Sequence, residues 1–191
     1  MRYVCRMAAR PDYPLLTADQ FLEFSFGDRK AELDQGVIRV LDGVTAWHAT
    51  IQGNLLVALA TRLKGSGFRP YGSLMPIRAG DRSVRVADLA VFPKHDEPEY
   101  DDCRAFADPR VVFEIQHGAS PRTNIERKIE EYKRLSSLDT LVLIDASTER
   151  LRVVQRIGPG SWEEEAFVAP YDVPLPSLGI VVPHADVFAR D

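Results

Sequence analysis

The chain reads as a single α/β domain built on a mixed central sheet flanked by helices. Three stretches predict this. Residues 140–145 (TLVLID) form a continuous apolar run, as expected of a strand covered on both faces. Residues 46–64 carry Ile51, Leu55, Leu59 and Leu63 at four-residue intervals, the mark of a helix with one buried stripe. Residues 123–136 (TNIERKIEEYKRLS) repeat that helical pattern through Ile125, Ile129, Tyr132 and Leu135.

Composition sets the outer limits. The 191 residues are 45% hydrophobic and 27% charged, enough apolar material for one ample core. There is no run of 18 apolar residues, so no membrane span is expected. Residues 1–16 read as a disordered or extended lead-in without the apolar segment of a secretory signal, and the domain is placed at 17–191. Cys5 and Cys103 are far apart and form no CxxC pair, so the expectation is a reduced, cytoplasmic protein without structural zinc. The net charge of −4 and pI of about 5.6 argue against a dedicated high-affinity nucleic-acid binder. The charge is uneven, however. Six basic residues (Arg62, Lys64, Arg69, Arg78, Arg82, Arg85) face one acid over 62–85, and five acids lie within 96–102. The pattern reads either as a basic face beside an acidic loop or as a scattered, solvated surface.

The elements follow in order. Thr17 caps a short helix over 17–24. Residues 31–41 (AELDQGVIRVL) form a hairpin or bulged strand around Gly36, and Gly65 ends the long helix. Strands are expected at 69–77, 85–92 (RVADLAVF), 111–116 (VVFEIQ) and 140–145, with a polar irregular segment at 94–109. A C-terminal hairpin, 151–157 and 162–168, turns at Gly158-Pro159-Gly160, and the tail at 174–188 closes with a helical turn. Trp47 and Trp162 are read as packing residues; Gln52, Asn54, His95 and His184 are read as surface residues, and His48 as a capping or surface residue that can also face a cleft.

Two acids sit inside apolar strands, and a lysine sits on a helix stripe. At about 100° per residue, Lys128 projects between Tyr132 and Leu135. A lysine there is costly unless it meets a negative partner. Strand alternation puts Glu114 and Gln116 on one face with Val112, and Asp88 on one face with Val86, Ala90 and Phe92. If the two strands pair, Asp88 and Glu114 converge. Two carboxylates and a backbone carbonyl suit Mg²⁺, with Mn²⁺ as a substitute. Such an ion polarises a phosphoryl oxygen and makes hydroxide available near neutral pH.

These landmarks resemble the Uma-two family of bacterial restriction-endonuclease-like proteins, a branch of the PD-(D/E)XK nuclease superfamily. The resemblance spans residues 17–190. It rests on AELDQGVI, WHATIQGNLLVAL, VADLAVF and VVFEIQ, on Lys128 and Tyr132 at fixed spacings after Glu114, and on TLVLID and PLPSLG. It implies a restriction-endonuclease-like fold with the C-terminal hairpin appended. It further implies metal ligation by Asp88, Glu114 and the Ile115 carbonyl, catalysis by Lys128, and assistance from Gln116 and Glu32. The expected function is Mg²⁺-dependent hydrolysis of DNA phosphodiester bonds, with a homodimer as the form that cuts both strands. Four features depart from the family pattern: Ala87 for a proline, Asn124 for an aspartate, Gln116 at the superfamily lysine position, and His117-Gly118-Ala119 for the usual turn. Asn124 and the acidic pI favour the alternative reading, a catalytically weak or inactive nuclease-fold module that binds nucleic acid or a protein partner.

Overall fold

The computed structural model describes residues 14–72, 75–95, 103–116 and 122–190. Most of the lead-in (1–13), the acidic segment at 96–102 and the turn at 117–119 therefore lie outside the described residues.

The chain opens with α1 (Ala18–Leu22), whose N-terminus is closed by a reciprocal capping box between Thr17 and Gln20. Strands β1 (Ala31–Asp34) and β2 (Val37–Val40) form an antiparallel hairpin. Its two-residue turn, Gln35-Gly36, has positive φ at both positions, the conformation that matches the twist of the flanking strands. Gly36 is also close to the chain before α1: a Cβ there would come within 2.6 Å of the Leu15 Cβ. Helix α2 (Ala46–Arg62) starts at a Thr45 cap, and Gly65 follows it with φ +81°.

The next two segments differ from the sequence expectation. Residues 69–77 are not one strand but β3 (Phe68–Gly72) and β4 (Ile77–Gly80), in different sheets. Residues 85–92 likewise divide into β5 (Ser83–Arg85) and β6 (Leu89–Pro93). Between β5 and β6 the chain leaves one sheet for the other while staying buried. No glycine or proline marks the crossing, so the pattern reads as continuous. Asp88 lies at this crossing.

Strands β7 (Val111–Gln116), β8 (Thr140–Asp145), β9 (Arg150–Gly158) and β10 (Ser161–Phe167) complete a six-stranded sheet of order β10-β9-β8-β7-β6-β3. Among the described residues of this sheet only β7 and β8 run parallel, joined by α3 (Arg122–Lys133), so the central sheet is mixed. The C-terminal hairpin extends this sheet at its edge. A second sheet has the order β2-β1-β5-β4. The tail adds a two-stranded pair, β11 (Val173–Leu175) and β12 (Ile180–Val182), and α4 (His184–Val187).

Alternation along the strands builds two cores on opposite faces of the large sheet. Leu89, Val91, Phe113, Ile115, Val142 and Ile144 pack under α2 with Ile51, Leu55 and Leu59. Ala90, Phe92, Val112, Leu141 and Leu143 pack under α3 with Ile129 and Tyr132. In the small sheet Ala31, Leu33 and Val84 meet Phe21 of α1. Among the described residues, no helix is long and apolar enough to cross a membrane.

Candidate active site

The β6–β7 register pairs Leu89 with Phe113 and Ala90 with Val112. Asp88 lies one residue before this ladder, near enough for its charge to act on Glu114, but its side-chain partners come from α2 and the 27–30 loop whereas those of Glu114 come from α3. The ladder itself stops at Leu89. The next inward amide of β7, that of Ile115, donates to Asp88 Oδ2 at 2.8 Å in place of a strand partner.

Asp88 is 6% exposed and has other partners. His48 Nε2 lies 3.1 Å and Lys30 Nζ 3.5 Å from Oδ1. Gln52 Nε2 donates to the Asp88 carbonyl at 2.6 Å, which fixes the backbone at the crossing. Burial raises the Asp88 carboxyl, but the His48 hydrogen bond, the Lys30 and His48 charges and the Ile115 amide together hold it below the usual range.

Lys128 points inward and is 8% exposed. Its Nζ lies 2.8 Å from Glu32 Oε1 and 3.3 Å from Glu114 Oε2. The other Glu114 oxygen accepts the Tyr132 hydroxyl at 2.8 Å, so Tyr132 is both a core aromatic and a site residue. Burial pushes the Glu114 carboxyl up, and the negative charges of Asp88 and Glu32 add to this beyond what Lys128 offsets. Burial alone would lower the Lys128 amine, but Glu114 and Glu32 raise it well above its ordinary value, so Lys128 remains a cation.

Glu32 is placed by the small sheet. Along β1, Ala31 and Leu33 face the core under α1, while Glu32 and Asp34 face the other way. There they meet Arg85, which is fully buried. Its guanidinium donates to Glu131 Oε2 at 2.6 Å, Asp34 Oδ1 at 2.9 Å and Glu32 Oε2 at 3.2 Å. Glu32 Oε1 also accepts the Val86 amide at 3.1 Å. Lys128 therefore binds an acid that is itself held by the Arg85 guanidinium and the Val86 amide.

Gln116 ends β7 opposite Asp145 of β8 and shares a strand face with Glu114. Its Nε2 is buried and has no hydrogen-bond partner among the described residues. A cleft of about 600 Å³ opens on Asp88 between the loops at 27–30 and 41–44, with Gln52 on its wall.

Several sequence expectations change here. His48 faces Asp88 rather than solvent, and Gln52 is not a surface residue. The signal was present: His48 projects between Leu55 and Leu59 on the α2 stripe, by the periodicity that located Lys128. Asn54 binds the carbonyls of Val187 and Ala189 instead of lying on the surface. His95 pairs with Asp108, and His184 Nε2 lies 3.6 Å from Glu149. The basic stretch is partly spent internally: Arg85 is buried, and Arg62 and Arg78 pair with Asp186 and Asp19. Lys30 and Arg85 carried no local pattern, because their partners come from other elements.

The family model of Uma2, described as "Putative restriction endonuclease", matches residues 18–182. The solved structure of "a putative nuclease belonging to DUF820" from Anabaena variabilis is similar, with a TM-score of 0.76 at 22% identity over 91% of this chain and 98% of that one. At that identity the likeness is one of fold. No curated protein matches the chain.

Proposed function

The chain belongs to the Uma2 family, and we propose that it is a metal-dependent nuclease that hydrolyses phosphodiester bonds in DNA. One observation carries this reading: a lysine from α3 is held between Glu32 and Glu114, and a second acid, Asp88, lies at the mouth of a cleft, near enough for its charge to act on Glu114.

The donor set suits Mg²⁺, with Mn²⁺ as a substitute. Among the described residues no three His, Cys, Asp or Glu side chains form a cage. Mg²⁺ needs none, since it binds through one or two carboxylates, keeps several waters and shares substrate phosphate oxygens. Asp88 and Glu114 would hold the ion. The Ile115 carbonyl fits as a further ligand: its amide faces Asp88, and in an antiparallel ladder a residue's amide and carbonyl point to the same side. The Gln116 amide, without a partner among the described residues, supplies hydrogen-bonding capacity of the kind a water or phosphoryl oxygen fills.

When bound, the ion supplies Lewis-acid polarisation of the phosphoryl oxygen and a more acidic water. The chain's own groups do the rest. Lys128, whose amine Glu114 and Glu32 raise above its ordinary value, would serve as a hydrogen-bond donor to developing negative charge. Glu32, clamped by Arg85, holds the Lys128 amine in place. His48, Gln52 and the Ile115 amide orient Asp88. Cutting both strands of a duplex calls for two such sites, and hence a homodimer.

One observation favours a second reading, a nuclease-fold binding module of weak or no activity. Both acids already have cationic partners, Lys30 for Asp88 and Lys128 for Glu114. Crystals soaked in Mn²⁺ separate the two. Anomalous density between Asp88 and Glu114 supports the nuclease; its absence at saturating Mn²⁺ supports the module.

A further inference from the structure

We propose that Lys30 is an exchangeable cation of this site: its ammonium neutralises Asp88 until a divalent ion takes that carboxylate, and it then binds a phosphate of the nucleic-acid strand. The inference rests on the nuclease reading and adds a residue with two successive partners.

The two lysines of the site are built differently. Lys128 is fixed, with its side chain 9% exposed and an acid on either side. Lys30 is 22% exposed at the side chain, and its contact with Asp88 is a long one of 3.5 Å. Its backbone is anchored, since the Leu41 amide donates to the Lys30 carbonyl at 2.8 Å. The ammonium is thus the movable part, a point charge on a flexible four-carbon stem. The other neighbour of Asp88 Oδ1, His48, is buried on α2 and does not share this freedom.

Location completes the argument. Lys30 and Asp88 line the same cleft of about 600 Å³, the described opening onto this carboxylate. A divalent cation on Asp88 cancels the attraction that holds Lys30 and adds a like-charge repulsion at short range. The ammonium then needs another anion within reach of the cleft. On a nucleic acid that anion is the backbone phosphate.

This exchange makes two effects run in opposite directions, which a merely structural residue does not produce. In calorimetric titrations with Mn²⁺ alone, Lys30→Gln should bind the ion about three- to tenfold more tightly than wild type, the order expected for removing one like charge near a site of high effective dielectric. With Ca²⁺ in place of Mn²⁺ and a labelled DNA duplex, the same variant should bind more weakly, with its salt slope smaller by about one contact. Lys30→Arg should restore both properties, and Lys64→Gln, exposed beyond the end of α2, should leave both unchanged. Unchanged or weaker Mn²⁺ binding by Lys30→Gln, or an unchanged salt slope, overturns the role of Lys30 alone. Wild-type protein that takes up no Mn²⁺ overturns the nuclease reading and this inference with it.

Discussion

Lys128 Nζ is closer to Glu32 than to Glu114, at 2.8 Å against 3.3 Å. The lysine that α3 brings to the large sheet is therefore shared with an acid of the small sheet. Arg85 closes the link, since its guanidinium reaches Glu32, Asp34 and Glu131 together. The site is a junction between two sheets, and its geometry depends on the buried charges of Arg85, Asp34 and Glu131.

Arg85→Met tests that junction. It would leave Glu32, Asp34 and Glu131 buried without their shared cation, at a cost on the order of 3–5 kcal/mol, the range for breaking a buried ion pair from one side. Urea unfolding should report a loss of that size. A loss under 1 kcal/mol would show that the three acids find other partners.

Asp34 supplies a pH signature. Burial raises its carboxyl, but hydrogen bonds and charges from Arg39 and Arg85 hold it below its ordinary value. The folded protein then binds this proton less readily than the unfolded chain. The resulting stability is present above the ordinary aspartate value of 3.8 and is lost as pH falls through the folded value. Asp34→Asn should be less stable than wild type at pH 7, with a gap that narrows below pH 3.8. A gap independent of pH would remove charge pairing as its cause.

Glu114 has the opposite sign. Its raised carboxyl favours the proton when folded, so the stability from that proton is present below the ordinary glutamate value of 4.5 and lost as pH rises through the folded value. Glu114→Gln keeps an acceptor for Tyr132 and leaves Lys128 its Glu32 partner. At pH 7 and above, the variant should melt no lower than wild type and should no longer bind Mn²⁺. A clear drop in melting temperature would identify Glu114 as a structural counter-ion to Lys128.

Much of the frame was legible because it is periodic. The 3.6-residue repeat located α2, α3 and the inward Lys128, and the apolar run TLVLID located a doubly covered strand. Gly36 marked residues 31–41 as a hairpin or a bulged strand, and the Gln35-Gly36 turn makes them the hairpin. The two-sheet division was hidden because residues 86–88 pass from one sheet to the other without Gly or Pro. The clamp on Glu32 was hidden for a related reason: Arg85 opposes it through the non-local pairing of β1 with β5. Lys30 lies in a loop, where no periodicity says which way a side chain turns.

The central claim is hydrolysis of DNA, and nicking of supercoiled plasmid with Mn²⁺ tests it most directly when wild type, Asp88→Asn and Lys128→Met are purified side by side. The account predicts open-circular product from wild type, none with EDTA, and near-complete loss in both variants, through loss of an ion ligand in one and of transition-state charge stabilisation in the other. An intact plasmid with wild type, or equal nicking by all three proteins, would contradict it.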